Sequence, residues 1–153
     1  MNQNMKKPLP NKPDNKEIFE LLKGTGLENQ DKQLIYSILC ELWKDPEVQA
    51  VYLYGSYARL EQKPYSDIDI AVITGFSKSS RKQKERIGSF SSKKYDVQVF
   101  SDLPLPAKFQ IFTNGIPLFI RDTNYQRNLV RSVILTYMDC ESMRNRWKIR
   151  ILG

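Results

Sequence analysis

Two aspartates, Asp67 and Asp69, are the residues of this sequence best suited to chemistry. They stand at the start of a β-prone run, Ile68 to Ile73, and residues two apart in a strand project from the same face. Both carboxylates should therefore point one way while Ile68 and Ile70 point into the core. Two carboxylates at that spacing repel each other unless a cation lies between them, and Mg²⁺ prefers such oxygen ligands. The spacing predicts a magnesium site.

A Gly-Ser pair, Gly55-Ser56, ends an earlier β-prone run that contains Val51 and Leu53. Gly55 allows the backbone to approach a ligand closely, and Ser56 can open a helix whose free N–H groups face a phosphate. Residues 48–74 are therefore expected to form a strand, a tight turn, a short helix or loop, and a second strand. Together with the aspartates, this arrangement predicts a site for a metal-bound nucleoside triphosphate.

The same residues carry a family resemblance. Gly55-Ser56, ten intervening residues and then Asp67-Ile68-Asp69 resemble the signature of the polymerase β-like nucleotidyltransferases. The resemblance is greatest to their minimal, MNT-type branch, which Tyr57-Ala58-Arg59 and Ser66 also match. It implies an α/β fold with a small mixed sheet, flanking helices and a C-terminal helix.

The match has one departure and a limited extent. Leu60 stands where many relatives have a glycine after the arginine, so that the shape of the loop can differ here. The resemblance covers roughly residues 30–122, the part of the chain where sequence patterns predict the strands and their flanking helices.

The resemblance also implies a third acidic residue on a neighbouring strand. We carry that role onto Asp96, which enters a strictly alternating run at positions 95–101. Asp102, just after this run, is the competing candidate, although its position suits a helix cap better. Asp67, Asp69 and Asp96 would then hold two Mg²⁺ ions and orient ATP, and Asp96 could help to deprotonate an acceptor hydroxyl.

Nucleotide-binding roles are carried over in the same way. Gly55 and Ser56 would contact the β- and γ-phosphates, and Ser66 would orient Asp67 by a hydrogen bond. Arg59 would either brace the phosphates or pair with a carboxylate that holds the loop. Since the sequence has no histidine, a metal-held carboxylate is the obvious general base.

A prokaryotic two-gene module is what the resemblance implies about biology. In such a module the MNT protein acts as antitoxin by transferring AMP from ATP onto a tyrosine of a helical HEPN-type ribonuclease toxin. Two alternatives stay open: a binding module that sequesters its partner with a vestigial nucleotide site, and a free-standing transferase that acts on a small molecule or RNA. Self-association also stays open.

Composition predicts one soluble domain, with 153 residues of which 41% are hydrophobic and 27% charged. No run approaches the ~20 apolar residues that span a bilayer, and the basic N-terminus lacks the apolar stretch of a secretory signal. We therefore expect a cytoplasmic protein without membrane contact. In that reducing compartment, Cys40 and Cys140 are expected to be buried free thiols, with a disulfide as the alternative.

The net charge of +7 is unevenly distributed. Residues 77–94 contain seven basic residues and Glu85 as the one acidic residue, and residues 121–153 contain seven basic and three acidic residues. Such patches can meet RNA, the phosphates of a nucleotide or an acidic protein. The alternative is a solvated basic surface.

Three parts are expected along the chain: a flexible tail at 1–13, a nucleotidyltransferase domain at 14–122, and a C-terminal helix at 123–153 that packs on the domain or binds a partner. The other predicted elements are a helix capped by Asp14 or Asn15 and stopped by Gly24, a helix at 31–44, a short helix near 80–86, a strand at 95–101, a helix at 104–113 and a strand at 116–121.

The last helix has a longer apolar stripe than a small sheet needs, so that part of it is expected to be core and part an interface. We expect Leu129, Val133 and Tyr137, or their neighbours on that face, to contribute to a complex with a protein partner, and the nearby basic residues to steer its acidic surface. The whole stripe is Leu129, Val130, Val133, Ile134, Tyr137 and Met138, and the basic residues are Arg144, Arg146, Lys148 and Arg150.

Overall fold

A computed structural model describes residues 12–75 and 80–152 of the chain. The predicted tail therefore lies outside the described residues except for its last two positions. The elements are α1 (Asn15–Leu21), α2 (Asn29–Trp43), β1 (Val48–Tyr54), β2 (Ile68–Thr74), α3 (Arg81–Gly88), β3 (Tyr95–Val99), α4 (Leu105–Asn114), β4 (Ile116–Ile120) and α5 (Thr123–Leu152).

The four strands form one mixed sheet in the order β3-β2-β1-β4. β1 is antiparallel to both β2 and β4, whereas β2 and β3 are parallel because α3 carries the chain back between them. The predicted α/β fold with a small mixed sheet is therefore confirmed. β3 and β4 each end earlier than predicted, since residues 100–102 form a 3₁₀ turn and Ile120 is the last residue of β4.

One face of the sheet packs against α1 and α2. The apolar residues on one side of α2 are buried except for Leu34, which is 44% exposed, and Trp43, which is half-buried. In α1, Leu21 is 45% exposed, while Leu22 just after the helix is fully buried. The buried residues of this layer include Ile35, Ile38, Leu39 and Leu42 from α2, and Val51, Leu53, Ile68, Ile70 and Val72 from the sheet.

The other face of the sheet packs against α4 and α5. Its strand residues include two small ones, Ala50 and Ala71, beside the larger Tyr52 and Ile73. Short side chains leave room for the helices to lie close to the strands. This second core is completed by the fully buried Ile111 of α4 and by residues of α5.

The first turn of α5 lies at the edge of the sheet where β2 ends. Asp122 caps the helix, since its Oδ1 accepts hydrogen bonds from Asn124 N (2.9 Å) and Tyr125 N (3.2 Å). The hydroxyl of Tyr125 donates to the carbonyl of Thr74, the last residue of β2 (3.3 Å). α5 thus starts where β2 ends and runs along the sheet towards the side where β2 begins.

Further along α5, the predicted stripe packs on the protein's own domain. Val133 is buried, Leu129 packs against the second core, and the ring of Tyr137 stacks on that of Phe109 in α4 with centroids 3.9 Å apart. The expected partner contact is therefore wrong for the buried Val133, whereas Leu129 and Tyr137 are half-buried and a contact through their neighbours on that face stays a prediction. Met138, predicted in the same stripe, is 60% exposed.

The two cysteines are free thiols, as predicted. Their expected burial is wrong, because Cys40 is only half-buried and Cys140 is exposed on α5. In the described part of the chain, no helix combines the length and apolar character needed to cross a bilayer.

Candidate active site

Three polar side chains form a row across the sheet at the edge where β1 ends and β2 and β3 begin, called here the site edge. In the strand register, Tyr54 pairs with Asp69 and Asp69 pairs with Asp96. Neighbouring strands lie about 4.8 Å apart, so that paired residues have adjacent side chains. Asp67 comes just before β2 and is exposed. The structure therefore places all three predicted acidic residues at the site edge.

Asp69 is half-buried and lies beside the other two carboxylates. Burial raises the pKa of Asp69 to about 6, with further contributions from the neighbouring charges of Asp96 and Asp67 and an opposing one from Arg59. A half-buried group that faces two other carboxylates carries uncompensated negative charge. A cation bound between the carboxylates would compensate this negative charge.

Of the two candidates for the third acid, the geometry favours Asp96. Its Oδ2 accepts a hydrogen bond from Gln98 Nε2 (2.7 Å), which orients the carboxylate beside its strand partner. Asp102 lies in the 3₁₀ turn after β3 and pairs with Lys84 Nζ at 2.7 Å. The expectation that Asp102 caps a helix is wrong, since Pro104 precedes α4 and no side chain caps it.

The chain leaves β1 through a single helical turn. Arg59 N donates to Gly55 O (3.2 Å), and then Glu61 N donates to Ser56 O (2.9 Å) and Leu60 N to Tyr57 O (3.4 Å). These last two bonds form a Schellman motif, which places Leu60 at the position that usually has a glycine. Leu60 accordingly has a positive φ of 57°. Of the expected short helix or loop, the structure has a loop.

Gly55 is required by the position of Asp69. Its φ is 75°, a backbone conformation that residues with a side chain rarely adopt, and a Cβ at this position would collide with Asp69 Oδ2. The missing side chain therefore makes space for the carboxylate at the site edge. The sequence predicted that the Gly55 backbone approaches a ligand closely. In the structure the group that it approaches is the carboxylate of Asp69.

Arg59 lies beside this cluster with its guanidinium held by two side chains. Its Nη1 donates to Gln110 Oε1 in α4 (2.6 Å) and its Nε donates to Glu61 Oε2 (3.1 Å). Of its two expected roles, the pairing with a carboxylate of the loop is the one seen in this structure. The charge of Arg59 also opposes the rise in the pKa of Asp69, which indicates that the guanidinium lies within reach of the site.

Ser66 closes the turn that leads into β2. Its Oγ accepts a hydrogen bond from Lys63 N (2.7 Å), and its own N–H donates to Lys63 O (2.9 Å). The expected hydrogen bond from Ser66 to Asp67 stays a prediction.

Sequence reasoning missed Tyr54 as a site residue. Burial raises the pKa of Tyr54 to about 12, and the negative charges of Asp69 and Asp96 make smaller contributions to the same rise. The phenol is therefore neutral at ordinary pH and can donate a hydrogen bond. Its position directly before Gly55 was the available signal, since the last residue of β1 must lie beside the first residues of the strand it pairs with.

A second missed group lies on the opposite face of the sheet. Asp31 of α2 accepts hydrogen bonds from Lys94 Nζ (2.8 Å) and the Tyr95 hydroxyl (2.7 Å). Burial alone would raise the pKa of Asp31, but these hydrogen bonds outweigh it and hold the pKa below its ordinary value. The cluster ties α2 to the residue before Asp96 and so fixes the start of β3.

The donor set suits a hard cation without forming a closed metal site. Within residues 12–75 and 80–152, no three acidic, histidine or cysteine side chains converge as a ready group of metal ligands. Asp69 and Asp96 are paired by strand register, and Asp67 lies at the exposed entrance. Carboxylate oxygens are nevertheless what Mg²⁺ prefers, and their mutual repulsion fits a cation-binding role.

Most of the basic side chains described in the segment 77–94 are paired with acids. Arg81 pairs with Glu85, Lys84 with Asp102, Arg86 with Asp45 and Lys94 with Asp31. The predicted short helix of this segment is α3, capped by Ser80. Much of the positive charge of this segment is therefore neutralised internally, which weakens the case for an RNA surface.

Comparison with known proteins identifies the family of this chain. The sequence model of the family described as Polymerase beta, Nucleotidyltransferase matches residues 28–124, which include the whole site edge. This chain belongs to that family. The match also extends the family relationship slightly beyond the roughly 30–122 expected from sequence motifs.

Among curated proteins, a Methanocaldococcus jannaschii protein with the provisional name protein adenylyltransferase is 37% identical over 73 residues. The alignment covers 48% of this chain and 57% of that protein. The chain thus spans little more than half the length of this relative.

Solved structures with the same fold include toxin–antitoxin complexes. One, with AMP-PNP, aligns with a TM-score of 0.58 at 21% identity and covers 79% of this chain and 98% of the other. Another is a tri-AMPylated Shewanella oneidensis HEPN toxin in complex with MNT antitoxin, with a TM-score of 0.54 at 19% identity, covering 79% and 95%. At these identities the likeness shows the fold.

Proposed function

We propose that this protein transfers AMP from ATP to a hydroxyl of another protein, a tyrosine of a cognate HEPN-type ribonuclease toxin, and thereby acts as its antitoxin. The observation that carries the proposal is the pairing of Asp69 with Asp96 beside the Gly55 turn, in a chain of the nucleotidyltransferase family. The toxin–antitoxin assemblies with this fold are the reason for choosing a protein acceptor.

In the proposed reaction an acceptor oxygen attacks the α-phosphorus of ATP, the bond from that phosphorus to the bridging oxygen breaks, and pyrophosphate leaves. Asp67, Asp69 and Asp96 would hold Mg²⁺, which when bound supplies positive charge to the triphosphate and to the attacking oxygen. Asp96, the carboxylate on β3, takes up the acceptor's proton. Each of these roles uses a side chain already at the site edge.

Two further side chains assist by position. The neutral phenol of Tyr54 lies beside Asp69 and donates a hydrogen bond to a substrate oxygen. Arg59 exchanges Glu61 for a phosphate when ATP binds, while Gln110 keeps hold of the guanidinium. This exchange reconciles the ion pair seen in the structure with a phosphate-binding role.

The experiment is to co-express this chain with the product of the adjacent gene and to measure the partner's mass. We expect growth rescue and a mass gain of whole AMP units, both lost in Asp67→Asn. Rescue without any mass gain, retained in Asp67→Asn, would instead favour sequestration. Label from ATP that appears on RNA or a small molecule would move the protein to the free-standing transferase class.

A further inference from the structure

The last third of α5 is not buried by any other element of residues 12–75 and 80–152. A helix of 30 residues is about 45 Å long, whereas a strand of seven residues spans only about 23 Å. Residues 142–151, called here the terminal segment, are all exposed. The helix extends beyond the sheet, because it is roughly twice as long as the strands on which it packs.

The direction of α5 places the terminal segment beyond the site edge. Tyr125 bonds to the last residue of β2 at the far edge, and twelve residues later Tyr137 stacks on Phe109. The next residue of α4, Gln110, holds Arg59 of the turn beside Asp69. α5 also covers the same face of the sheet as the row of Tyr54, Asp69 and Asp96. Anything docked on the terminal segment therefore lies next to the mouth of the site.

An apolar line runs along the terminal segment. Met143, Trp147 and Ile151 are spaced four residues apart, which aligns them on one side of a helix. They are 59%, 60% and 75% exposed. The line continues the face on which Leu129 and Val133 pack against the domain, since these residues fall on the same side at 100° per residue. The terminal segment thus prolongs a packing surface past the point where the domain can cover it.

Positive charge borders this apolar line on both sides. Arg146 and Arg150 lie along one side and Arg144 and Lys148 along the other, and residues 142–151 contain no acidic residue. Arg144 pairs with Glu141 at 2.9 Å. The other three make no ion pair with any residue of the described chain. This pattern is complementary to an apolar groove with acidic rims.

Other occupants fit this surface less well. Two copies of the segment would bring their cationic borders together, so that a second copy of the chain is disfavoured by repulsion. A nucleic acid would neutralise the cations but offers no groove that buries a line of three large apolar side chains. A protein groove satisfies both features.

We infer that the terminal segment is the docking surface for the protein acceptor, which receives it in an apolar groove bordered by acidic side chains and is thereby held at the site edge. This inference rests on the proposed function, because it assumes that the acceptor is a protein. It moves the partner contact from Leu129, Val133 and Tyr137, which pack on the domain, to residues farther along the same face of α5.

The test compares two sets of serine substitutions on α5. The first is Met143→Ser/Trp147→Ser/Ile151→Ser, and the control is Leu135→Ser/Met138→Ser, which removes side chains that are 52% and 60% exposed on another side of the helix. Neither set includes a residue of the site edge or a buried residue. Both should therefore keep the urea midpoint and the binding of a fluorescent ATP analogue.

The readout is transfer of labelled AMP to the product of the adjacent gene. We expect the triple variant to lower kcat/KM for this acceptor at least tenfold through KM, with transfer by the control unchanged. Arg146→Glu/Arg150→Glu should slow association and weaken its dependence on salt.

Several outcomes would overturn the inference, and they separate it from the proposed function. If the wild-type chain labels no protein, the proposed function fails and the inference with it. If wild type and triple variant label the acceptor equally, only the docking surface is wrong. Loss of self-association in sedimentation, or loss of binding to phosphatidylserine vesicles, with acceptor labelling unchanged would assign the segment to a second copy or to a lipid surface instead.

Discussion

Replacing Gly55 by alanine tests whether the turn after β1 is shaped around Asp69. The added Cβ meets two obstacles, a φ of 75° and a collision with Asp69 Oδ2. Gly24 provides a matched control, because its φ is 82° and a Cβ there meets no atom within 4 Å. The two substitutions share the backbone penalty, so that their difference isolates the contact with the carboxylate.

The magnitude follows from these two terms. A side chain in the left-handed region costs about 1–2 kcal/mol, of which the lower entropy of the unfolded alanine chain recovers about 0.4–1 kcal/mol. Gly24→Ala should therefore destabilise by about 1 kcal/mol. Gly55→Ala adds the cost of overpacking, about 1–3 kcal/mol, and displaces Asp69. A displacement of about 1 Å at a catalytic group can lower the rate on the order of 100-fold.

The assays are urea unfolding and transfer of labelled AMP to the acceptor. We expect Gly55→Ala to be less stable than Gly24→Ala by about 1–3 kcal/mol and to lose most of its transfer activity, while Gly24→Ala transfers like wild type. Equal stability and equal activity of the two variants would refute the steric argument. Equal stability with selective loss of activity would show that Asp69 moves aside at little cost in folding.

Three other outcomes follow from the structure. Asp96→Ala should abolish AMP transfer while retaining ATP binding, and Asp102→Ala should keep transfer; the reverse would assign the third acid to Asp102. Leu60→Gly should raise the free energy of unfolding by zero to about 1 kcal/mol, because it removes a leucine from the left-handed conformation. A clear fall in the free energy of unfolding would contradict this. The pKa of Asp31 is lowered in the folded state, so that its ion pair with Lys94 stabilises above the unfolded pKa of about 4 and is lost as the pH falls below it. The stability difference between wild type and Asp31→Asn, measured by urea unfolding, should therefore shrink between pH 6 and pH 3, and a constant difference would exclude this linkage.

Local sequence patterns determined the candidate chemistry. The alternation that buries Ile68 and Ile70 and leaves Asp69 on the other face depends only on the period of a strand, and the structure has it. The Gly-Ser pair, its spacing to the aspartates and the stop of β1 at Tyr54 are equally local. Such features are readable because each depends on residues within a few positions of one another.

The tertiary structure decided which distant residues meet. The pairing of Asp69 with Asp96 requires a parallel register between β2 and β3, and the contact of Tyr95 with Asp31 joins residues 64 apart. The same limit explains the error on α5. Its apolar periodicity extends over the whole helix, and only the length of the sheet determines that Val133 is covered while Trp147 is not. Periodicity reports which side of a helix is apolar, and the size of the surface beneath it decides how much of that side is buried.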